Sequence, residues 1–263
     1  MKKILTSFLL MAMIAGCVQQ GPTEAEKPEE PPVVEQPEKP VEQEKPEEYD
    51  QIFNAHENLE NEIIKIETHR IDLKDNDLNS VFEPVAQNII IDIDSDEARK
   101  VMDKINKDAE TYINELTFYP DDETYQGHWR TVSFFRINYY FNNDNNVLSI
   151  VTKANRYLYE TASGFSEYKV YNIDVDTGKQ LNNEELLKQY LLSFDDTTSI
   201  VNDYVKKMNM CSCKDAKDSN LYCYRGFKID NESLLFFDGE SINLILAVTL
   251  GIANENIIIP IIK

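Results

Sequence analysis

A hydrophobic period of two residues runs through positions 131–154, which read TVSFFRINYYFNNDNNVLSIVTKA. Apolar side chains at Phe135, Ile137 and Tyr139 alternate with more polar neighbours, and a second alternating run follows the Asn- and Asp-rich residues 142–146. Such alternation is typical of a strand with one buried face, and a polar break between two such runs predicts a hairpin. This stretch therefore predicts an antiparallel sheet at the centre of the fold.

Further strands and helices are predicted on both sides of this hairpin. Strand-like runs occupy residues 64–68, 85–93, 168–175, 225–229, 234–237, 242–250 and 257–262. Helical periodicity covers residues 95–117, 182–190 and 200–208. Asp94 with Glu97, and Asn182 with Glu185, have the spacing of a capping box. These elements predict an α+β fold, a mainly antiparallel sheet packed with two or three helices, either as one unit or as two halves divided near residue 125.

The N-terminus has the features of a lipoprotein signal peptide. Lys2 and Lys3 precede an apolar run of 12 residues, after which Gly16 and Cys17 follow. This run is too short for a membrane-spanning helix, which needs roughly 20 residues. Its ending resembles the bacterial lipobox, in which the cysteine sulfur is acylated. We therefore predict a signal peptide over residues 1–16, lipidation of Cys17, and attachment to the outer face of the bacterial cell membrane.

Residues 17–50 are predicted to form a disordered tether that contains the lipidated cysteine. Positions 18–50 hold seven of the ten prolines, and eleven acidic residues against three lysines. Such a composition offers too little apolar surface to compensate for the entropy of ordering, and proline favours extended geometry. The folded extracellular domain is accordingly predicted over residues 51–263.

The charge of the chain restricts its partners. With 47 acidic and 26 basic residues the net charge is −21, which repels nucleic-acid phosphates. The same charge attracts cations, so basic proteins are favoured partners. Eight Gly and three His leave little material for phosphate-binding loops or histidine-ligated metals. No cofactor, resident metal or catalytic residue is predicted.

Three cysteines remain once Cys17 is lipidated. Outside the cell Cys223 could form a disulfide with Cys211 or with Cys213, whereas Cys211 and Cys213 are too close in sequence to bridge without strain. The alternatives are free thiols, or three thiolates on a metal that would still lack a fourth ligand.

Two other motifs resemble functional ones but have structural explanations. Ser166 and Lys169 have the Ser-x-x-Lys spacing of penicillin-recognising enzymes, but they fall on a predicted strand instead of a helix start. Asp92, Asp94 and Asp96 alternate as calcium ligands do, yet the glycine and glutamate of an EF-hand loop are missing. A charged corner between a strand and a helix accounts for them.

One stretch resembles a known family. Its residues are Val147-Leu148-Ser149-Ile150, Tyr171 to Leu181 with the turn Asp174-Val175-Asp176-Thr177-Gly178-Lys179, and Glu184-Glu185-Leu186-Leu187. They resemble a domain of unknown function shared by the extracellular region of the anti-sigma-V factor and the N-terminal region of a peptidoglycan deacetylase. Gly251 and the pair Ile259-Pro260 stand where the family has a late Gly and an Ile-Pro pair. Residues 161–165 and 247–250 depart from its pattern.

The resemblance implies a cell-envelope binding or sensing module without inherited enzymatic activity. In the motif, Gly178 is expected to adopt a positive backbone angle, and Asp174 or Thr177 to bind backbone amides within the turn. Lys179 completes this motif. The predicted function is a surface-anchored, non-catalytic lipoprotein that binds basic proteins such as lysozyme, or wall polymers. The alternative is a hydrolase that modifies peptidoglycan or another polysaccharide.

Overall fold

The fold is α+β, as predicted, with four helices and two mainly antiparallel sheets among the described residues. The computed structural model describes residues 49–55, 62–70, 85–117, 131–142, 146–158, 164–208, 210–212, 222–224, 229–250 and 253–261. All of them belong to one compact unit that extends from Gln43 to Lys263. The signal peptide and Cys17 lie outside the described residues.

The first sheet has six strands in sequence order, and the predicted hairpin forms its centre. Thr131 pairs with Leu158 at one end of the hairpin and Asn142 with Val147 at the other. Every pairing is antiparallel except that of the second strand with the third. The strands are β1 (Ile64–Arg70), β2 (Val85–Ile91), β3 (Thr131–Asn142), β4 (Val147–Leu158), β5 (Gly164–Asp174) and β6 (Gln180–Leu181).

One face of this sheet is covered by the long predicted helix, α2, which spans Asp96–Thr117. The buried stripe of α2 packs on β2 and β3, within a core cluster that also includes side chains of β4 and β5. Its buried members are Ala98, Val101, Ile105, Ala109 and Tyr112.

The cap of α2 differs from the prediction, because the Ser95 hydroxyl, and not Asp94, accepts from the amides of Glu97 and Ala98. Glu97 instead accepts from the amide of Gln180 at 2.9 Å.

The second sheet has five strands and is covered by two helices. Its strands are β7 (Cys211–Ser212), β8 (Tyr222–Tyr224), β9 (Leu234–Phe237), β10 (Ile242–Leu250) and β11 (Ala253–Pro260). Helices α3 (Asn183–Gln189) and α4 (Phe194–Lys207) pack against it in a second core cluster. Helix α4 begins earlier than the predicted residue 200, because Ser193 and Asp196 form a capping box there. The strand predicted over residues 225–229 lies outside the described residues, apart from Ile229.

A short helix that the sequence did not predict connects the two sheets. Helix α1 spans Tyr49–Ala55, so Tyr49 and Asp50 belong to the fold and not to the tether. The reason is that Tyr49 is fully buried and Phe53 nearly so. Both lie in a third cluster with side chains of the first sheet (Tyr140, Val151, Tyr168) and of the second (Phe236, Ile245, Ile258).

A buried polar link also joins the sheets. The Ser149 hydroxyl donates to the Asn172 side chain at 2.6 Å and accepts from the Phe237 amide at 2.9 Å. The Asn172 amide group donates to the Leu235 carbonyl at 2.9 Å. Asn172 and Ser149 thereby provide hydrogen-bond partners for the Leu235 carbonyl and the Phe237 amide of β9. Burying these backbone groups without partners would be costly.

Candidate functional site

The family-like turn forms as the sequence predicts. The Asp174 carboxylate accepts from the amide of Thr177 at 2.8 Å and from its hydroxyl at 2.7 Å. The Gly178 amide donates to the Asp174 carbonyl at 2.7 Å, and Gly178 has φ +66°. The local bonds of Asp174 and the positive angle of Gly178 are thus confirmed as structural features of the turn.

The turn packs directly on the start of α2. The Ser95 hydroxyl donates to the Gly178 carbonyl at 2.8 Å. A Cβ atom placed on Gly178 would lie 2.1 Å from the Ser95 Cβ, a distance that no folded protein tolerates. Glycine is therefore required here both for the backbone angle and for the close approach.

On its other side the turn holds α3 in place. The Lys179 ammonium lies 2.5 Å from the Glu185 carboxylate. Their hydrogen bond raises the pKa of Lys179 and lowers the pKa of Glu185. Glu185 also completes the predicted capping box, in which Asn182 accepts from the Glu185 amide and Glu185 from the Asn182 amide. The family-like motif thus determines where α3 begins.

The corner at which α3 ends has an unusual residue. The Leu192 amide donates to the Leu187 carbonyl and the Leu191 amide to the Lys188 carbonyl, which is the pattern of a Schellman motif. That motif places a left-handed residue just beyond the helix, and the usual choice is glycine. Here it is Leu191, with φ +59° and 93% of its surface exposed.

Leu191 lies at the edge of a surface depression of about 600 Å³ between α3 and α4. We call this depression the corner pocket. Its apolar members are Leu191, two leucines of lower exposure and one aromatic ring, and its remaining members are mostly charged. The lining residues are Glu184, Leu187, Lys188, Leu191, Leu192, Ser193, Phe194, Asp195 and Asp196.

The rim of the corner pocket is acidic. Lys188 pairs with Glu184 at 2.7 Å, which leaves Asp195 and Asp196 as additional negative charges. Asp196 accepts from the Ser193 hydroxyl and amide at 2.6 and 2.9 Å, and these bonds lower the pKa of Asp196. A pocket with an apolar wall and a negative rim suits an apolar side chain presented by a basic surface.

Two of the three remaining cysteines are paired in the backbone register of the second sheet. Strands β7 and β8 are parallel, and Cys211 stands in register with Cys223. Cys213 lies outside the described residues. Of the two pairings that the sequence allowed, the backbone register favours Cys211 with Cys223, and the disulfide itself stays a prediction.

The catalytic and metal candidates are not assembled into a site. Ser166 and Lys169 are three positions apart on β5, so their side chains point to opposite faces of the sheet. Ser166 bonds Asn155 on one face, and Lys169 pairs with Asp108 of α2 on the other. Asp92, Asp94 and Asp96 are all exposed. Across the described ranges, no group of three or more His, Cys, Asp or Glu side chains could hold a metal ion.

Sequence reasoning did not find the corner pocket. Asn182-x-x-Glu185 and Ser193-x-x-Asp196 are two capping-box patterns eleven residues apart, and together they predict a short helix, a corner and a second helix. The second pattern marks the start of α4. The sequence did not indicate the left-handed conformation of Leu191, since a Schellman motif favours glycine at that position.

Comparison with known proteins adds no relative: no protein-family model matches the chain, and no curated protein is significantly similar to it. The family resemblance at residues 174–181 therefore stays a prediction. Within the described part of the chain, none of the helices has the length and apolar character needed to cross a bilayer.

Proposed function

We propose that the protein is a non-catalytic binding module of the bacterial cell envelope, which captures a basic protein at the corner pocket. In this proposal a lipid on Cys17 holds the protein at the outer face of the cell membrane. The acidic, proline-rich residues that follow would keep the folded part away from the lipid surface.

The observation that carries the proposal is Leu191. A non-glycine residue in the left-handed region costs roughly 1 kcal/mol or more, and a leucine that is 93% exposed recovers none of this through burial. Strain of this kind is found where function requires a particular side chain. A partner that covers Leu191 would gain about 1.5–3 kcal/mol from its burial.

Charge selects the kind of partner. Asp195 and Asp196 lie at the first turn of α4, where they also favour the helix dipole, and the chain carries 47 acidic residues against 26 basic ones. Such a field speeds the approach of positively charged proteins and repels anionic polymers. Lysozyme is a suitable basic probe.

The test measures binding of lysozyme to the full-length protein at low and at moderate salt. Replacement of Leu191→Ala should raise the Kd by about tenfold, which is the effect of losing one well-buried aliphatic side chain. Binding should weaken as salt rises, because the attraction is electrostatic at the rim.

The matched control is Ile90→Ala on β2. Ile90 is the other large exposed apolar residue in the described chain, at 42%, and it lies away from the corner pocket. The Ile90 variant should bind lysozyme as the parent does. Equal losses in both variants, or no loss in either, would contradict a site at the corner pocket.

Purified cell-wall fragments in the same assay address the other candidate functions. If the protein binds the fragments and does not bind lysozyme, its partner is a wall polymer and not a basic protein. Release of sugars or acetate from the fragments would favour the hydrolase.

The anchor has a separate test. A Cys17→Ala variant should fail to incorporate a radiolabelled fatty acid and should leave the membrane fraction. If this variant stays membrane-bound with an unchanged mass, the lipid anchor is not at Cys17.

A further inference from the structure

A pair of positive charges lies side by side on the face of the first sheet that α1 covers. Arg136 of β3 and Lys153 of β4 are directly opposite in the antiparallel register. Like charges at directly opposite positions destabilise a strand pair. This arrangement is unexpected in a chain whose acidic residues outnumber its basic ones by 47 to 26.

Lys153 is buried, with only 4% of its surface exposed, and among the described residues it has one carboxylate partner. Its ammonium lies 3.4 Å from the Asp50 carboxylate of α1. It also lies 5.6 Å from the ring centre of Phe53 and 5.9 Å from that of Tyr168. Burial lowers the pKa of Lys153, Asp50 opposes that shift, and Arg136 adds to it.

Arg136 contributes a second cation, and the described part of the chain brings no second carboxylate to it. Its guanidinium lies 6.0 Å from the ring centre of Phe134, and no carboxylate of the described residues forms an ion pair with it. In the same row of the sheet, Tyr168 stands opposite Lys153 and is 7% exposed. The Tyr168 hydroxyl has no hydrogen-bond partner in the described structure.

We propose that Arg136, Lys153 and Tyr168 form a binding site for a ligand that presents a carboxylate next to an apolar or ring-shaped surface. The planar fork of Arg136, which is half-buried, suits a carboxylate. Tyr168 supplies a buried hydroxyl donor in the same row of the sheet. The rings of Phe53 and Phe134 supply the apolar wall. Within the chain, Asp50 already places a carboxylate beside the Lys153 ammonium. The site is separate from the corner pocket and does not depend on the proposed function.

Matched pairs of small probes test the site by calorimetry on the full-length protein at constant ionic strength. Glucuronate and N-acetylalanine carry the carboxylate on a sugar and on a peptide-like group, and glucose and N-acetylalaninamide are their neutral counterparts. We expect saturable binding of at least one acid and none of its neutral counterpart. Which acid binds identifies the source of the carboxylate.

Two variants locate the binding. Arg136→Gln should weaken it by about tenfold, the effect of losing one charge-assisted bidentate contact. Arg99→Gln removes the same charge from an exposed position on α2, outside both sites, and should change the Kd by less than about twofold. Asp50→Asn removes the internal carboxylate and should tighten binding, an effect opposite in sign to that of Arg136→Gln. This variant keeps the test meaningful if Arg136→Gln does not fold.

Three results would overturn the proposal. They are the absence of saturable binding by either acid, equal affinities of the parent and a folded Arg136→Gln variant, and binding of inorganic phosphate where both carboxylates fail.

Discussion

Gly178 and Leu191 are both held in the left-handed region of backbone space, with φ +66° and +59°, yet their surroundings are opposite. Gly178 is buried against Ser95, so closely that a Cβ atom would overlap it. Leu191 is 93% exposed. One position excludes every side chain, and the other carries a large apolar side chain into solvent.

The structure requires glycine at position 178, whereas it does not require leucine at position 191. At Gly178 the turn, the start of α2 and the start of α3 meet, so packing alone explains the residue. At Leu191 the Schellman motif would be more stable with glycine, and the fold gives no reason for leucine. Under the proposed function, a leucine stands at this position because a partner covers its side chain.

The largest effect is expected from Gly178→Ala. The overlap with Ser95 and the strained backbone angle should together lower the free energy of unfolding by about 3 kcal/mol or more. Chemical denaturation measures this change. The double variant Ser95→Gly/Gly178→Ala should be less destabilised than the sum of the single variants, since Ser95→Gly removes the atom that clashes. Strict additivity would show that the close approach is not the cause.

A smaller loss is expected from Asp174→Ala. This substitution removes two bonds to Thr177 that close the turn, and about 1–2 kcal/mol of unfolding free energy should be lost. Asp176→Ala, at the neighbouring exposed aspartate, removes only one bond from the Asn146 side chain and should therefore lose less. If both variants lose the same amount, the bonds to Thr177 do not stabilise the turn.

Leu191→Gly should do the reverse and raise the free energy of unfolding by about 1 kcal/mol, because glycine adopts the left-handed region without strain. Leu191→Ala keeps the strain and should leave stability nearly unchanged. Both should lose lysozyme binding to a similar degree. A stability gain together with undiminished binding in Leu191→Gly would mean that the exposed leucine has no role in recognition.

The sequence predicted well where local chemistry decides the structure. The period of two in β3 and β4, the stripe of α2, the Asn182 cap and the positive angle of Gly178 follow from patterns within a few residues. It did not predict α1, because seven residues next to an acidic tether become helical only through contacts of Tyr49 and Phe53 with strands far along the chain. The pairing of Arg136 with Lys153 could not be predicted either, since it depends on the exact register of two strands.

The smallest effect is expected at the ion pair that links the turn to α3, and it should depend on pH. Glu185→Gln removes the charge while glutamine can still serve the capping box. The pKa of Glu185 is lowered in the fold from its ordinary value of 4.5, so the ionised form stabilises the native state above that value. This contribution is lost as the pH falls through the lowered pKa. The parent should therefore exceed the variant in stability at neutral pH, by less than the change from Leu191→Gly, and the two should converge in acid.

The pair is exposed, so added salt should reduce the difference as well. A difference that is the same at neutral pH and well below 4.5 would show that Glu185 acts through its hydrogen bonds to the cap and not through its charge.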